Sequence, residues 1–333
     1  MIRPDTLRPP APSDPTAEAY KDWLHLNVFD HVSGAVGLVN VSLSGAPDDP
    51  RSRAVGTALL HVPGHGWAGN LEAQGFDDAQ IGQSAIALER VALAVDHASG
   101  TVTASARFPD DGFALEARAN SLVPALAVEE PLPLGPGWFS WYAVGRLAVA
   151  GEARVDGQVL PLSGASAYHD HNWGRWHWGD DLGWDWGAFL APDPGPAVIL
   201  IRLTDRDRKA TLPPALVVHV DGGRRTFSGP GVALEEHGRL APPARGVPGS
   251  LASLHSDRGD PGLPSLVRVT ADDGVDRIEI EFRAHAAAQL VTAEPMRRGY
   301  GFIHELAGEF RCEGQVAGVA LASDGLGVVE RAA

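Results

Sequence analysis

Asp276-Arg277-Ile278-Glu279-Ile280-Glu281-Phe282-Arg283 reads with a period of two. Ile278, Ile280 and Phe282 point one way, and Glu279, Glu281 and Arg283 the other. Successive side chains of a strand leave opposite faces, so this stretch predicts a half-buried strand. Phe113–Asn120 follows the same rule, with Phe113, Leu115, Ala117 and Ala119 inward. Val36–Ser44, Ala54–Val62, Thr101–Phe108, Gly145–Ala150, Ala197–Leu203, Leu216–Val220 and Leu266–Thr270 are further strands by the same reading. Asp156-Gly157, Asp221-Gly222, Asp273-Gly274 and Asp324-Gly325 predict hairpin turns, because both residue types tolerate positive φ. The only helix expected is short, near Thr16–Asp22, with Asp14-Pro15 as its start.

The fold class that follows is all-β. The 39 glycines and 26 prolines break the chain into short segments. Long helices are scarce, so parallel βαβ units are not expected. Many short strands close most economically into antiparallel barrels, which leave no exposed edges, and a barrel of about eight strands can hold one small ligand. The length of 333 residues gives room for two such units. Ala191–Pro196 reads APDPGP and is the natural break. The expected organisation is a flexible proline-rich arm over residues 1–16, a first barrel over 17–192 and a second over 193–333.

Composition narrows the function. Net charge is −15, which disfavours nucleic acid and anionic membrane surfaces. No segment approaches the ~20 apolar residues needed to span a bilayer, and the amino terminus has no signal-peptide character. The expectation is a soluble, cytoplasmic protein without stable membrane insertion. Cys312 is the only cysteine, which excludes disulfide frameworks. Lys21 and Lys209 are the only lysines, which leaves little scope for Schiff-base chemistry. Gly64-His65-Gly66-Trp67-Ala68-Gly69 matches a dinucleotide-binding glycine pattern, but Asn70–Gln80 lacks the helix that pattern needs. His304-Glu305 starts a zinc-protease motif that fails at Gly308.

Seven of the nine tryptophans lie between Trp138 and Trp186. Within them runs Tyr168-His169-Asp170-His171-Asn172-Trp173-Gly174-Arg175-Trp176-His177-Trp178-Gly179-Asp180-Asp181, followed by Trp184-Asp185-Trp186. On a strand, His169 and His171 share one face, and Asp170 and Asn172 the other. An acid walled by indoles is desolvated, so its carboxyl stays protonated at higher pH. Indole faces also stabilise a passing cation. Acid plus aromatic wall suits a reaction that protonates an olefin. Against this stand a structural reading, with tryptophan core and a buried Asp–His hydrogen bond, and a zinc site formed by His169 and His171 with His177 or an acid.

Ser166–Gly174 resembles the Y-x-D-H-x-W-G signature of the lipocalin-like hydroxyneurosporene synthase (carotenoid 1,2-hydratase) and AttH family, whose relatives include lipocalin-like Diels–Alderases. Gly151–Pro161, Trp184-Asp185-Trp186, Gly299–Glu305 and Gly325–Glu330 are similar to flanking segments of that family. The resemblance covers roughly residues 20–330. It implies two tandem lipocalin-like barrels packed together around an apolar ligand pocket, and a cofactor-free reaction on an isoprenoid double bond. Asp170, His171 and Trp173 carry over position by position. The resemblance also implies a downstream aspartate as proton donor, for which Asp181 and Asp185 are the candidates, with Asp180 behind them. Tyr168, Trp173, Trp176, Trp178, Trp184 and Trp186 are the expected substrate-binding residues. The added tryptophans favour a folded terpene or polyene over a long linear carotene. Hydration or cyclisation by acid, a pericyclic reaction that relies on substrate folding alone, and non-catalytic binding of a hydrophobic molecule remain the alternatives.

Overall fold

The computed structural model describes residues 5–333 except 12, 210–211, 222, 242–244, 247–261, 295–296 and 298. Contacts divide the chain into two units. The first comprises Met1–Val28, Gly37–Asp180 and Thr292–Gly301, and the second Phe29–Val36, Asp181–Val291 and Phe302–Ala333. The sequence break between them falls at Asp180/Asp181, ahead of the APDPGP stretch, which instead closes the turn between Gly183–Leu190 and Ala197–Thr204. No helix among the described residues is long and apolar enough to cross a membrane.

Each unit is built on one curled, half-barrel sheet. The 13-stranded sheet runs from Gly66–Gln74 through Arg53–Val62, Ala35–Ser44 and Tyr20–Asp30 to Ser166–Arg175. It continues through Gly137–Val155, Phe113–Ser121, Thr101–Phe108 and Val91–Asp96. The 10-stranded sheet places Gly183–Leu190 beside Val319–Ala332, then Tyr300–Val316, Arg277–Ala293 and Leu266–Asp272. The described pairings are antiparallel apart from Arg245–Gly246, which runs parallel to Ala288–Gln289. The alternation that predicted strands also sets their faces. Ile278, Ile280 and Phe282 are fully buried in the second unit's core, where Phe189 meets Phe282 and Phe310 edge-on at 5.6 and 5.7 Å.

Local differences from the sequence reading have steric causes. Asp156 (φ 48) and Gly157 (φ 80) form the expected two-residue hairpin. Asp324-Gly325 is no turn: Gly325 lies mid-strand opposite Phe310, where a Cβ would sit 2.3 Å from the Leu190 carbonyl oxygen. The turn falls instead at Ala317-Gly318, with φ of 51 and 80. The expected helix shrinks to a single 3-10 turn, Ala17–Ala19, because the chain enters a strand at Tyr20. The arm is not free: Asp5 and Leu7 are buried.

Gly174 explains the glycine of the signature. A Cβ there would stand 2.2 Å from the Trp138 carbonyl oxygen and 2.7 Å from the Trp176 ring. Gly174→Ala is therefore expected to cost about 3 kcal/mol, read as a lower urea midpoint at unchanged m-value.

Candidate functional site

In the first unit, the Ser166–Arg175 strand pairs with Gly137–Val155, which sets Ala143 opposite Asp170 and Tyr142 opposite His171. Asp170 and His171 therefore leave opposite faces. Asp170 is buried and accepts hydrogen bonds from the Tyr168 hydroxyl (2.8 Å), the Asn172 amide (2.8 Å) and the Trp141 indole N–H (3.3 Å). Every one of these neighbours donates, so the carboxylate is committed as an acceptor.

On the other face, the His171 Nε2–H donates to Asp22 Oδ1 at 2.8 Å, and both side chains are fully buried. Asp22 Oδ2 accepts from the Tyr20 hydroxyl and the Arg8 backbone N–H, each at 2.8 Å. The His171 ring lies 4.7 Å from Trp173, and the Arg8 guanidinium sits 4.0 Å over the same indole. His169 donates from Nδ1 to the His25 carbonyl (2.8 Å) and holds Nε2 3.2 Å from Asp5. Burial alone would lower the His169 pKa, but Asp5, then Asp170 and the His25 carbonyl, outweigh it and raise it. Desolvation and the neighbouring Asp5 carboxylate push the Tyr142 hydroxyl upward, and it also hydrogen-bonds Asp5.

The tryptophans separate into groups. Trp176 packs edge-on against Trp23 (5.4 Å) and Trp178 (6.2 Å). Beside Trp178, Glu294 accepts from the Trp178 backbone N–H (3.0 Å) and pairs with Lys21 (3.2 Å) and His177 (3.3 Å). Burial lowers the Lys21 pKa against the opposing pull of Glu294. His169, His171 and His177 thus engage three different carboxylates, and no metal-binding group of three or more His, Cys, Asp or Glu is found among the described residues. A cavity of about 380 Å³ in this unit is walled by Ala92, Ala94, Ser105, Glu116, Arg118 and Ala150, away from these side chains.

The remaining candidates belong to the second unit. Asp181 is exposed and accepts the Arg206 backbone N–H at 3.0 Å, so it faces water rather than indole. Asp185 is buried among guanidinium groups: Arg202 donates twice to Oδ2, with Arg208 at 3.2 Å and Arg331 at 3.4 Å from Oδ1. Glu236 bridges Arg202 and Arg331.

Trp184 and Trp186 occupy the opposite face of that strand, and Glu330 stands directly across from Trp186. Glu305 is in turn the register partner of Glu330. The Trp184 indole N–H donates to Glu330, and the two carboxyl groups hydrogen-bond each other. Two carboxylates can share a hydrogen bond only with a proton between them. Burial raises the Glu330 pKa, partly offset by its bonds from Glu305 and Trp184. Ile201 and Leu203 lie opposite Trp186 and Trp184 on this face. The acid set against indoles is thus a glutamate pair, in which burial raises the Glu330 pKa. His304 and Glu305, the start of the failed zinc-protease motif, leave opposite faces, and His304 Nε2 bonds Gln289 at 3.1 Å.

No family model matches the sequence, and no curated protein is similar to it. Solved structures do match. A protein provisionally assigned as AttH from Nitrosomonas europaea superposes with a TM-score of 0.70 at 16% identity, over 98% of this chain and 99% of that one. The chain has the AttH fold. Kievitone hydratase from Nectria haematococca shares the AttH fold with a TM-score of 0.62 at 9% identity, over 98% and 96% of the two chains. CghA in complex with Sch210972 gives 0.61 at 14% identity, over 94% and 88%.

Two histidines of this AttH-fold chain make a testable acid limb. Burial, followed by the neighbouring His169, lowers His25 to about 4 despite a raising bond to Asn27. Burial, then Arg331 and Arg208, lowers His304 to about 4. A depressed histidine contributes stability that is complete above the unfolded value of about 6.5 and is lost as pH falls toward 4. Stability is expected to drop between those limits, and His25→Gln to flatten part of the slope in urea titrations.

Proposed function

We propose that the protein is an enzyme that protonates a carbon–carbon double bond of an apolar isoprenoid or polyene, with the Glu305–Glu330 pair as proton donor. One observation carries this reading: a glutamate pair, with burial raising the Glu330 pKa, stands against Trp184 and Trp186 on a sheet face shared with Ile201, Leu203 and Val328. The fold likeness to a hydratase and to CghA is consistent with such a role.

The chemistry balances without a cofactor. The O–H of the proton shared by Glu305 and Glu330 breaks as a C–H bond forms, which leaves a carbocation on the adjacent carbon and both glutamates as carboxylates. The Trp184 N–H stabilises the Glu330 carboxylate. The indole faces stabilise the cation by about 0.5–2 kcal/mol each when desolvated. Water then captures it, or a second double bond does and the new cation loses a proton or takes up water; the proton released returns to the glutamate pair. Asp170 and Asp185 hold their strands in place and keep their lone pairs occupied.

The test is turnover in D₂O against a panel of terpenes and polyenes. The expected product carries one new carbon-bound deuterium. A product free of new deuterium would indicate a pericyclic reaction. A ligand recovered unchanged across the panel would indicate a carrier.

A further inference from the structure

We infer that the first unit contains a carboxylate-binding site built from His169 and Tyr142, that Asp5 of the chain's own arm fills it, and that an apolar carboxylic acid is the ligand class that takes its place. This site is separate from the glutamate pair and does not depend on it.

The receptor is fixed by the sheet. His169 lies on Ser166–Arg175 and Tyr142 on Gly137–Val155, and the register puts both on the same face, with ring centroids 6.5 Å apart. The His169 Nδ1–H is taken by the His25 carbonyl, which aims Nε2 at the Asp5 carboxylate. The Tyr142 hydroxyl bonds the same carboxylate. One imidazole and one phenol supply two donors that suit a single carboxylate, and among the described residues no guanidinium or ammonium is seen bonded to it.

The occupant is held differently. Asp5 comes from a proline-rich segment outside any helix or strand. Its neighbours tie down through the Leu7 N–H to the Gln83 carbonyl (2.9 Å), the Arg8 N–H to Asp22 (2.8 Å) and the Arg8 guanidinium over Trp173 (4.0 Å). Asp5 and Leu7 are nonetheless almost fully buried, at 3% and 6% exposure. The arm thus lays a carboxylate followed by an apolar residue against the unit. A fatty or terpenoid acid presents the same order of groups. Such a ligand would give its carboxylate to His169 and Tyr142, and its hydrocarbon to the space held by Leu7.

The test uses dodecanoate as probe and dodecanol as its neutral control, with binding read from indole fluorescence. Asp5→Ala is expected to bind dodecanoate about tenfold or more tightly than the parent, as expected for charged hydrogen bonds gained, while dodecanol gains little. Adding Tyr142→Phe to Asp5→Ala should remove much of that gain. In the unmutated protein, saturating dodecanoate should speed hydrogen exchange at the Leu7 and Arg8 amides as the arm leaves, a readout that holds even if Asp5→Ala does not fold. Equal gains for acid and alcohol, no gain for either, or unchanged exchange at Leu7 and Arg8 would each overturn the inference. None of these measurements involves turnover, so failure here leaves the glutamate-pair reading standing, and the reverse also holds.

Discussion

Glu330→Gln is expected to lower turnover by about 10²–10⁴-fold, the usual range for loss of a positioned acid, while the protein stays folded. Glutamine keeps the shape and can still accept the Trp184 N–H, but it has no proton of the required acidity. The same substitution has a stability signature. An acid whose folded pKa is raised contributes stability that is complete below its unfolded value, near 4.5, and lost as pH climbs through the folded value. The parent protein should therefore weaken as pH rises from 4.5, and Glu330→Gln should remove that component. Urea midpoints across the range measure it. Full turnover in Glu330→Gln would mean that the proton comes from elsewhere.

Asp170→Ala should be the most damaging single change for the fold, at about 3–5 kcal/mol. It leaves the Tyr168 hydroxyl, the Trp141 N–H and the Asn172 amide without the carboxylate they now share. Each stranded buried donor costs roughly 1–3 kcal/mol, and the contributions overlap because the groups are neighbours. Asp170→Asn is milder, since its amide oxygen still accepts, and it should keep turnover of the same order as the parent. That outcome separates an anchor from a proton donor: a donor at position 170 would lose turnover in Asp170→Asn with little change in the urea midpoint.

Strands were legible because burial on one face writes itself as period two, as in Ile278, Ile280 and Phe282. The two faces of Ser166–Arg175 were readable for the same reason. Partners across the sheet were not. Asp22 lies 149 residues from His171, and Glu330 146 residues from Trp184, and nothing in local spacing encodes such pairings. Proximity in sequence instead drew attention to Asp181 and Asp185, next to the tryptophans but facing solvent and guanidinium groups. A weaker signal was available. Glu330 continues the phase of Leu326 and Val328, so its carboxyl interrupts an apolar face and stands where a hydrophobic side chain is expected. An acid in the apolar phase of a strand is either paired or protonated.

The ionisation state of that acid is the point on which the functional account turns. Infrared difference spectroscopy at neutral pH reads it directly, through the C=O stretch of a protonated carboxyl group. The account predicts such a band in the unmodified protein and its loss in Glu330→Gln. A spectrum in which both glutamates are already ionised at neutral pH would contradict it.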